Sequence, residues 1–350
     1  MSELSILILS DGRPGHYHLA DGVVAALQRM TPVMCARIEL TRRRLAPNAL
    51  LAALLGRSAY ASALRLGYGL TAAELPPARL IVSAGGDTLA ANVAVARHLG
   101  AENIFCGTLR RLPPSQFSLV VSSYARHAGL PRHIVALKPN GMDPDTLARA
   151  RAVPDGSRPP RLAGLLVGGN SGLFRYEPDE WAALAAFLET AHTAQGIRWI
   201  VSTSRRTPPA VADALARLAS RADGPIAELI DFRVSGPGTL PSLLASVEAV
   251  LCTEDSSTMI SEAVCARLPV VGVSPRDHSF KPEEAEYRRF MQDSAWCRFL
   301  PLASLTPDRF CEALRHIVPM RENHLDRLAG MIAARLPALF PDHNSASGSP

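Results

Sequence analysis

Short apolar runs alternate with helix-like stretches along the chain. Six runs in the first half predict strands, at 6–10, 33–40, 80–83, 103–106, 119–122 and 134–136. Five runs in the second half predict further strands, at 162–167, 199–202, 227–230, 249–252 and 270–273. Continuous apolar runs of this length are typical of strands buried on both faces. Because helix-like stretches separate most of these runs, the pattern predicts an α/β fold in which helices cover parallel sheets.

A stretch rich in Pro, Gly, Asp and Arg divides the two halves. We interpret 141–160 as a linker between an N-terminal Rossmann-like domain, 1–140, and a second one, 161–318. A C-terminal helical segment is predicted at 319–340, and the polar tail 341–350 is predicted to be disordered. Two doubly wound domains are expected to face a cleft, since ligands of open α/β sheets bind at the carboxyl edges of the strands.

A glycine-rich loop follows the first strand of the second half. It contains Gly168, Gly169, Asn170 and Ser171. Glycine lets a ligand approach the backbone closely, and successive N–H groups can cradle a phosphate. A plain tight turn is an equally good interpretation of this loop taken alone.

The loop after the next strand combines hydroxyl groups with arginines. Ser204, Arg205 and Arg206 stand just before a proline at the predicted start of a helix. Guanidinium groups beside a helix N-terminus favour an anion site. The alternative is a helix cap with solvated arginines.

The loop after 249–252 is the most polar in the chain. Thr253, Ser256, Ser257 and Thr258 surround the start of a predicted helix, and Glu262 lies one turn inside it. The orphan N–H groups and the helix dipole favour anions there. The alternative is ordinary capping with Glu262 as a partner of the dipole, but the density of polar groups favours binding, with Glu262 accepting hydrogen bonds from ribose hydroxyls.

Two polar loops of the first half are expected at the same edge of its sheet. One contains Gly12, Arg13 and Gly15, which we predict to contact substrate. Three residues of these loops are candidate general bases: Asp11, His16 and Asp87. The alternative is that each of the three caps an element, since acid–base catalysis requires a side chain within about 3 Å of the acceptor hydroxyl.

The stretch 42–70 begins with three arginines and continues with Leu, Ala and Tyr. Two interpretations stay open. It forms a core helix pair, or it forms an amphipathic patch that rests on an anionic membrane or takes a lipid-linked acceptor.

Composition narrows the classes of function. The net charge of +5 over 350 residues suits phosphate-bearing ligands, but no interleaving of aromatic and basic residues predicts nucleic-acid binding. The six cysteines form no CxxC pair and no zinc pattern, so we predict buried free thiols and no metal site. Neither a signal peptide nor an apolar run of about 20 residues is present, which predicts a cytoplasmic protein.

Four stretches together carry a resemblance to the bacterial branch of the mitochondrial-fission Elm family. They occur in the order DGRPGH at 11–16, LVGGNS at 166–171, TSRRTP at 203–208 and DSSTMISEA at 255–263, and RLPPSQFSLVV at 111–121 is a fifth. The family often has Gly-Arg-Arg-Thr or a similar sequence where this chain has Gly-Gly-Asp-Thr at 85–88. An acid therefore replaces two positive charges, which makes Asp87 of interest as a base.

That resemblance implies a GT-B glycosyltransferase scaffold similar to the lipid-linked glycosyltransferases of murein synthesis. It implies that Ser256, Ser257 and Thr258 hold phosphate and that Glu262 holds ribose. It also implies that the donor pyrophosphate is lined by Gly168, Gly169, Asn170, Ser204 and Arg205. The expected reaction is metal-independent and cofactor-independent transfer of a sugar from a nucleotide-sugar donor to a lipid-linked or other cell-envelope acceptor, with peripheral contact to the inner face of the membrane. A non-catalytic nucleotide-sugar-binding or membrane-associated scaffold and a sugar-nucleotide epimerase are the alternatives.

Overall fold

The chain folds into two compact units in a computed structural model that describes residues 3–148 and 158–341. The first unit contains the described residues up to Gly141 and those from His324 onward. The second unit contains the described residues between Met142 and Asn323. The prediction of two Rossmann-like parallel-sheet units is confirmed by the sheets within them.

The first unit has one parallel sheet. Its strands are β1 (Leu4–Ser10), β2 (Val33–Glu39), β3 (Leu80–Ala84), β4 (Glu102–Cys106), β5 (Leu119–Ser122) and β6 (His133–Val135), in the order β2-β1-β3-β4-β5-β6. Its first helices are α1 (Pro14–Gln28), α2 (Asn48–Gly56), α3 (Tyr60–Tyr68) and α4 (Leu89–Leu99). Alternate residues of β1 enter two separate cores: Leu4 and Ile6 pack with α1, whereas Leu7 and Leu9 pack with α2 to α4. The sheet is therefore buried on both faces, as its continuous apolar strands predict.

The second unit repeats this plan with a different strand order. Its strands are β7 (Leu162–Leu166), β8 (Phe174–Arg175), β9 (Arg198–Ser202), β10 (Ile226–Ile230), β11 (Ala249–Thr253), β12 (Val270–Ser274), β13 (Asp277–His278) and β14 (Cys297–Pro301). The parallel sheet runs β10-β9-β7-β11-β12-β14, and β8 pairs antiparallel with β13. Its helices are α5 (Pro144–Ala148), α6 (Pro178–Gln195), α7 (Pro209–Ala219), α8 (Phe232–Ser235), α9 (Leu240–Ser246), α10 (Ser257–Cys265), α11 (Pro282–Asp293) and α12 (Pro307–Arg315).

The last helix belongs to the first unit. The sequence analysis sets 319–340 apart, but α13 (His324–Arg335) packs its Leu325 and Leu328 into the core beside α1. Arg29 follows α1 and donates to the Asp326 carboxylate at 2.7 Å. Within the predicted linker, α5 lies in the second unit, while 149–157 and, in the predicted tail, 342–350 lie outside the described residues.

Strand order locates the ligand-binding edge of each sheet. In an open α/β sheet the crevice opens where the strand order reverses, at the carboxyl ends of the strands. That point falls between β1 and β3 in the first unit and between β7 and β11 in the second. No helix among the described residues is long and apolar enough to span a membrane.

Two smaller expectations needed correction. The elements α11 and β14 were not predicted, because α11 is rich in charged residues and β14 is a short strand that contains Arg298. Five of the six cysteines are buried free thiols as predicted, but Cys35 is exposed on the edge strand β2.

Candidate functional site

The loop after β1 holds a hydrogen-bonded pair of candidate bases. His16 Nδ1 lies 2.7 Å from Asp11 Oδ2. The Asp11 side chain is 4% exposed, whereas that of His16, in the first turn of α1, is 31% exposed. Because an ionised carboxylate only accepts hydrogen bonds, Nδ1 of a neutral His16 carries the proton and Nε2 keeps its lone pair.

Two glycines after β3 make room for this pair and for an arginine. A Cβ at Gly85, whose φ is +89°, would lie 2.2 Å from His16 Nδ1. A Cβ at Gly86 would lie 2.2 Å from Arg110 Cζ. The imidazole and a guanidinium therefore rest against neighbouring peptides at the β1–β3 switch point.

Asp87, the third candidate base, is engaged by two arginines. Its carboxylate oxygens lie 3.2 Å from Arg13 Nη2 and 3.0 Å from Arg42 Nε, and its backbone carbonyl accepts from the Tyr68 hydroxyl at 2.8 Å. Asp87 lies in the same cluster as the dyad, but its charge is already paired. The geometry thus favours His16 over Asp87 as the group that accepts a proton.

The other predicted residues of this loop shape the backbone. Gly12 takes a left-handed φ of +71°, and its N–H donates to Ser10 Oγ at 3.1 Å. Gly15 lies in α1, where a Cβ would meet open space. Gly12 therefore allows the left-handed backbone conformation of the loop. Gly15, which has no side chain, leaves the backbone of α1 exposed next to His16.

At the switch point of the second unit, the loops after β7 and β11 are bonded together. The Gly168 N–H donates to Thr253 Oγ1 at 2.7 Å, and the Gly169 N–H donates to Asp255 Oδ2 at 3.2 Å. The two N–H groups predicted for a phosphate donate to protein oxygens in this structure. A Cβ at Gly168 would lie 2.2 Å from both carboxylate oxygens of Asp255, so this glycine is required by close packing against Asp255.

Asp255 is a central residue that the sequence analysis did not select. Its side chain is fully enclosed, and Arg206 Nη2 caps it with an ion pair. Its Oδ1 atom is buried without a hydrogen-bond partner among the described residues. Its position inside the most polar loop was the signal that could have identified it.

The loop after β9 is tied to the glycine loop by hydroxyl groups. Ser204 Oγ donates to the Gly168 carbonyl at 3.2 Å, and Thr207 Oγ1 donates to the same carbonyl at 2.8 Å. Arg205 is exposed and makes no hydrogen bond or ion pair with any described residue. Of the two predicted arginines, Arg206 is therefore committed to Asp255 and Arg205 is available for a ligand.

Two residues of the glycine loop are hydrogen-bonded to the segment that contains β8. Asn170 Oδ1 accepts from the Tyr176 N–H at 2.8 Å, and the backbone of Ser171 bridges to Phe174. Both side chains are exposed at the rim of the loop.

The helix α10 begins as predicted. Ser256 is its N-cap and accepts from the Met259 N–H, while Ser257 and Thr258 are its first two residues. Glu262 lies on the second turn with 4% exposure. Hydroxyl groups thus stand at the N-terminus of α10, where partial positive charge favours an anion, and a buried carboxylate lies on the next turn.

A charged cavity of about 350 Å³ adjoins this edge. Arg288 Nε lies 2.7 Å from Glu254 Oε1, and the guanidinium carbon lies 4.2 Å from the Phe280 ring centre. Burial raises the pKa of Glu254, and the nearby charge of Arg288 counteracts part of that rise. His278 and Ser274 complete the wall beside the α10 loop.

No group of three or more His, Cys, Asp or Glu side chains in the described parts of the chain is arranged to hold a metal ion. The polar chemistry of the two edges is carried by hydroxyl groups, arginines, carboxylates and the imidazoles of His16 and His278.

These features agree with a family comparison. The model of the family described as mitochondrial fission ELM1 matches residues 14–336. The chain belongs to this family. The match spans both units, including the loops after β3, β7, β9 and β11. No curated protein matches the sequence.

Solved structures similar to this ELM1-family chain share its fold. MurG from Acinetobacter baumannii is 14% identical with a TM-score of 0.51, and the match covers 95% of this chain and 99% of that one. The calicheamicin glycosyltransferase CalG4 is 12% identical with a TM-score of 0.51, covering 98% and 99%. A putative UDP-N-acetylglucosamine 2-epimerase from Listeria monocytogenes is 14% identical with a TM-score of 0.55, covering 100% and 99%. The fold is therefore the GT-B-like fold that glycosyltransferases and sugar-nucleotide epimerases share.

Proposed function

We propose that this protein transfers a sugar from a nucleotide-sugar donor to a hydroxyl acceptor. The observation that carries the proposal is the His16–Asp11 dyad at the switch point of the first sheet. A half-exposed imidazole held in one tautomer by a buried carboxylate is suited to take a proton from an alcohol.

The second unit supplies the donor site in this proposal. The first turn of α10 and the exposed Arg205 hold the diphosphate, because a helix N-terminus and a guanidinium both stabilise negative charge. Glu262, buried on α10, accepts hydrogen bonds from the ribose hydroxyls, the role that the family resemblance implies. Asp255 positions Arg206 beside the glycine loop.

The reaction balances without a cofactor. His16 Nε2 takes the proton of the acceptor hydroxyl while the acceptor oxygen bonds to the anomeric carbon. The bond from that carbon to the diphosphate breaks, and the electron pair leaves on the nucleoside diphosphate. Positive groups around the departing diphosphate lower the barrier by stabilising its developing charge.

Epimerisation is the second candidate, because the putative UDP-N-acetylglucosamine 2-epimerase from Listeria monocytogenes described above has the same fold. An epimerase converts one nucleotide sugar into another and needs no acceptor. A non-catalytic scaffold would bind the nucleotide without turnover. Incubation with UDP-N-acetylglucosamine, followed by NMR, separates free UDP, an epimeric sugar and unchanged substrate.

The acceptor is proposed to be lipid-linked and to be reached at an anionic membrane. Leu45 is 95% exposed, Leu50 42% and Leu66 48%, all within 42–70, the region that contains α2 and α3. Four exposed arginines share that region: Arg43, Arg44, Arg57 and Arg65. Exposed leucines among arginines suit shallow insertion at anionic headgroups, with the protein on the cytoplasmic side.

The first experiment is a melting-temperature screen with UDP, GDP, ADP, CMP and their sugar conjugates. A ligand at 100 times its Kd adds about 2.7 kcal/mol of stability. We expect one nucleoside diphosphate to stabilise the wild type and to lose this effect in Glu262→Gln. Glu228→Gln, at an exposed glutamate of β10, is the matched control. Flat melting curves for every nucleotide would reject the donor site.

A further inference from the structure

Arg110 is a charged residue at the first sheet edge with no assigned role. It follows β4 in the loop that leads to Leu112 and has a left-handed φ of +53°. It is exposed and makes no hydrogen bond or ion pair with any described residue. A non-glycine residue in this backbone region is held under strain, and such strain is concentrated at functional sites.

The guanidinium of Arg110 nevertheless has a defined position, because it packs against Gly86. It fills the space that a side chain at Gly86 would need, since a Cβ there would lie 2.2 Å from Cζ and 2.3 Å from Nη2. The preceding residue, Gly85, is covered in the same way by the imidazole of His16. Gly85 and Gly86 are consecutive residues, so the imidazole and the guanidinium lie against adjacent residues of one turn.

The charges around this pair leave Arg110 as the uncompensated cation. Arg13 and Arg42 share the carboxylate of Asp87, and Asp11 is bonded to His16. No carboxylate among the described residues lies within ion-pair distance of Arg110. A fork of N–H donors beside a base, with no internal anion, is suited to an anionic ligand.

We infer that Arg110 and Gly86 form a phosphate subsite for the acceptor, so that the acceptor carries a phosphate ester close to the hydroxyl that His16 deprotonates. This inference rests on the proposed function for the identity of the acceptor site. The guanidinium fork matches the oxygens of a phosphate and binds them in a bidentate manner. A phosphate next to the reacting alcohol would also orient that alcohol toward Nε2 of His16.

Calorimetric titration of the full chain with sn-glycerol 3-phosphate tests the subsite, with glycerol as the uncharged probe. We expect binding of the phosphate ester and none of glycerol. Arg110→Gln is expected to weaken the affinity about tenfold or more, the usual effect of losing a hydrogen bond to a charged group. Arg111→Gln is the matched control, because Arg111 is the exposed neighbour and carries the same charge.

A second variant separates binding from folding. Arg110→Gly suits the left-handed backbone, so it should fold at least as well as the wild type while losing the affinity. Equal affinity in wild type, Arg110→Gln and Arg110→Gly, with no dependence on Arg110 in the vesicle experiment either, would overturn the inference. Equal losses in Arg110→Gln and Arg111→Gln would also overturn it. Such equal losses would mean that the phosphate responds only to net charge.

The source of the phosphate is distinguished by a vesicle arm. Co-sedimentation with phosphatidylcholine vesicles, with and without about 20% phosphatidic acid, compares the same variants. If binding depends on Arg110 only when vesicles are used, the phosphate is that of a lipid headgroup. If binding depends on Arg110 in solution, the phosphate is that of a soluble ester. Absence of any Arg110 dependence in both arms overturns the subsite.

Failure of the proposed function would look different. Arg110-dependent phosphate binding in a protein that no nucleotide stabilises would keep the subsite and reject the donor site. Nucleotide stabilisation that depends on Glu262, together with no Arg110-dependent phosphate binding, would keep the donor site and reject the subsite.

Discussion

The Nδ1 atom of His16 lies 2.7 Å from Oδ2 of Asp11, and this contact determines which nitrogen of the ring is left to act as a base. Asp11 is the first residue after β1, and His16 lies in the first turn of α1, so the strand-to-helix turn itself brings them together. The imidazole ring lies where a side chain at position 85 would otherwise project, and Gly85 leaves that space open. Three short sequence features are thus one structural unit.

Replacing Asp11 by Asn should reduce kcat with little change in KM. The amide keeps the shape of the side chain but can donate to Nδ1, which favours the tautomer with the proton on Nε2. Loss of the correct tautomer in a comparable dyad costs about 10²- to 10⁴-fold in rate. Release of the nucleotide from the donor that the melting screen identifies would measure kcat and KM.

The control for that change is the melting-temperature shift produced by the same nucleotide. An unchanged shift together with reduced turnover supports a role for Asp11 in positioning the base. A wild-type rate in Asp11→Asn would contradict the assignment of His16 and transfer attention to Asp87.

Gly85→Ala should destabilise the first unit and displace His16. The left-handed φ of +89° disfavours any side chain, and the new methyl group would lie 2.2 Å from Nδ1. The loss should be at least about 1–2 kcal/mol of folding free energy, seen as a lower Tm. Gly15→Ala is the matched control, since its Cβ meets open space within α1, and it should be neutral or slightly stabilising.

Gly168→Ala tests the packing of Asp255 in the second unit. A Cβ at this position would lie 2.2 Å from both carboxylate oxygens, so we expect a loss of about 1–3 kcal/mol. The loss should be smaller in an Asp255→Ser background, because the clashing atoms are gone. The coupling between the two substitutions should be at least about 1 kcal/mol, the range found for residues in contact. Melting temperatures of the four proteins measure it, and additive effects would show that the clash is relieved elsewhere.

The hydrophobic pattern predicted most of the fold for an identifiable reason. Strands such as β1, β7 and β11 are buried on both faces, so their apolar runs are continuous and easily recognised. The strand β14 was not predicted because its five residues include Arg298 and Pro301 and so form no continuous apolar run. Helix α13 was predicted as an element, but its return to the first unit depends on contacts far apart in sequence.

The site was predictable to the level of loops but not of partners. The sequence analysis selected Gly168 for a phosphate, whereas its N–H donates to Thr253 and its missing side chain makes room for Asp255. Arg110 lies just before one of the motifs that carry the family resemblance, yet only its contact with Gly86 singles it out from Arg111. Which arginine is paired and which is available depends on distances that the spacing of residues does not encode.

The ion pair near the two ends of the second unit predicts a specific acid sensitivity. Asn323 donates to Asp145 Oδ2 at 2.8 Å, and Arg267 donates to Asp145 Oδ1 at 2.7 Å. The hydrogen bond from Asn323, aided by the charge of Arg267, lowers the pKa of Asp145 below its ordinary value of 3.8.

A carboxyl group whose pKa is lower in the folded state stabilises the fold above its unfolded pKa, and this contribution disappears as pH falls through the folded pKa. Asp145→Asn should therefore lower Tm at pH 7 by about 1 °C, a small effect because the pair is partly exposed and screened. This difference should shrink as pH falls below 3.8 toward the lower folded pKa. Melting curves from pH 3 to pH 7 measure it, with Asp223→Asn at an exposed aspartate as the control. A difference that stays constant over this range would show that the contacts of Asp145 do not depend on its charge.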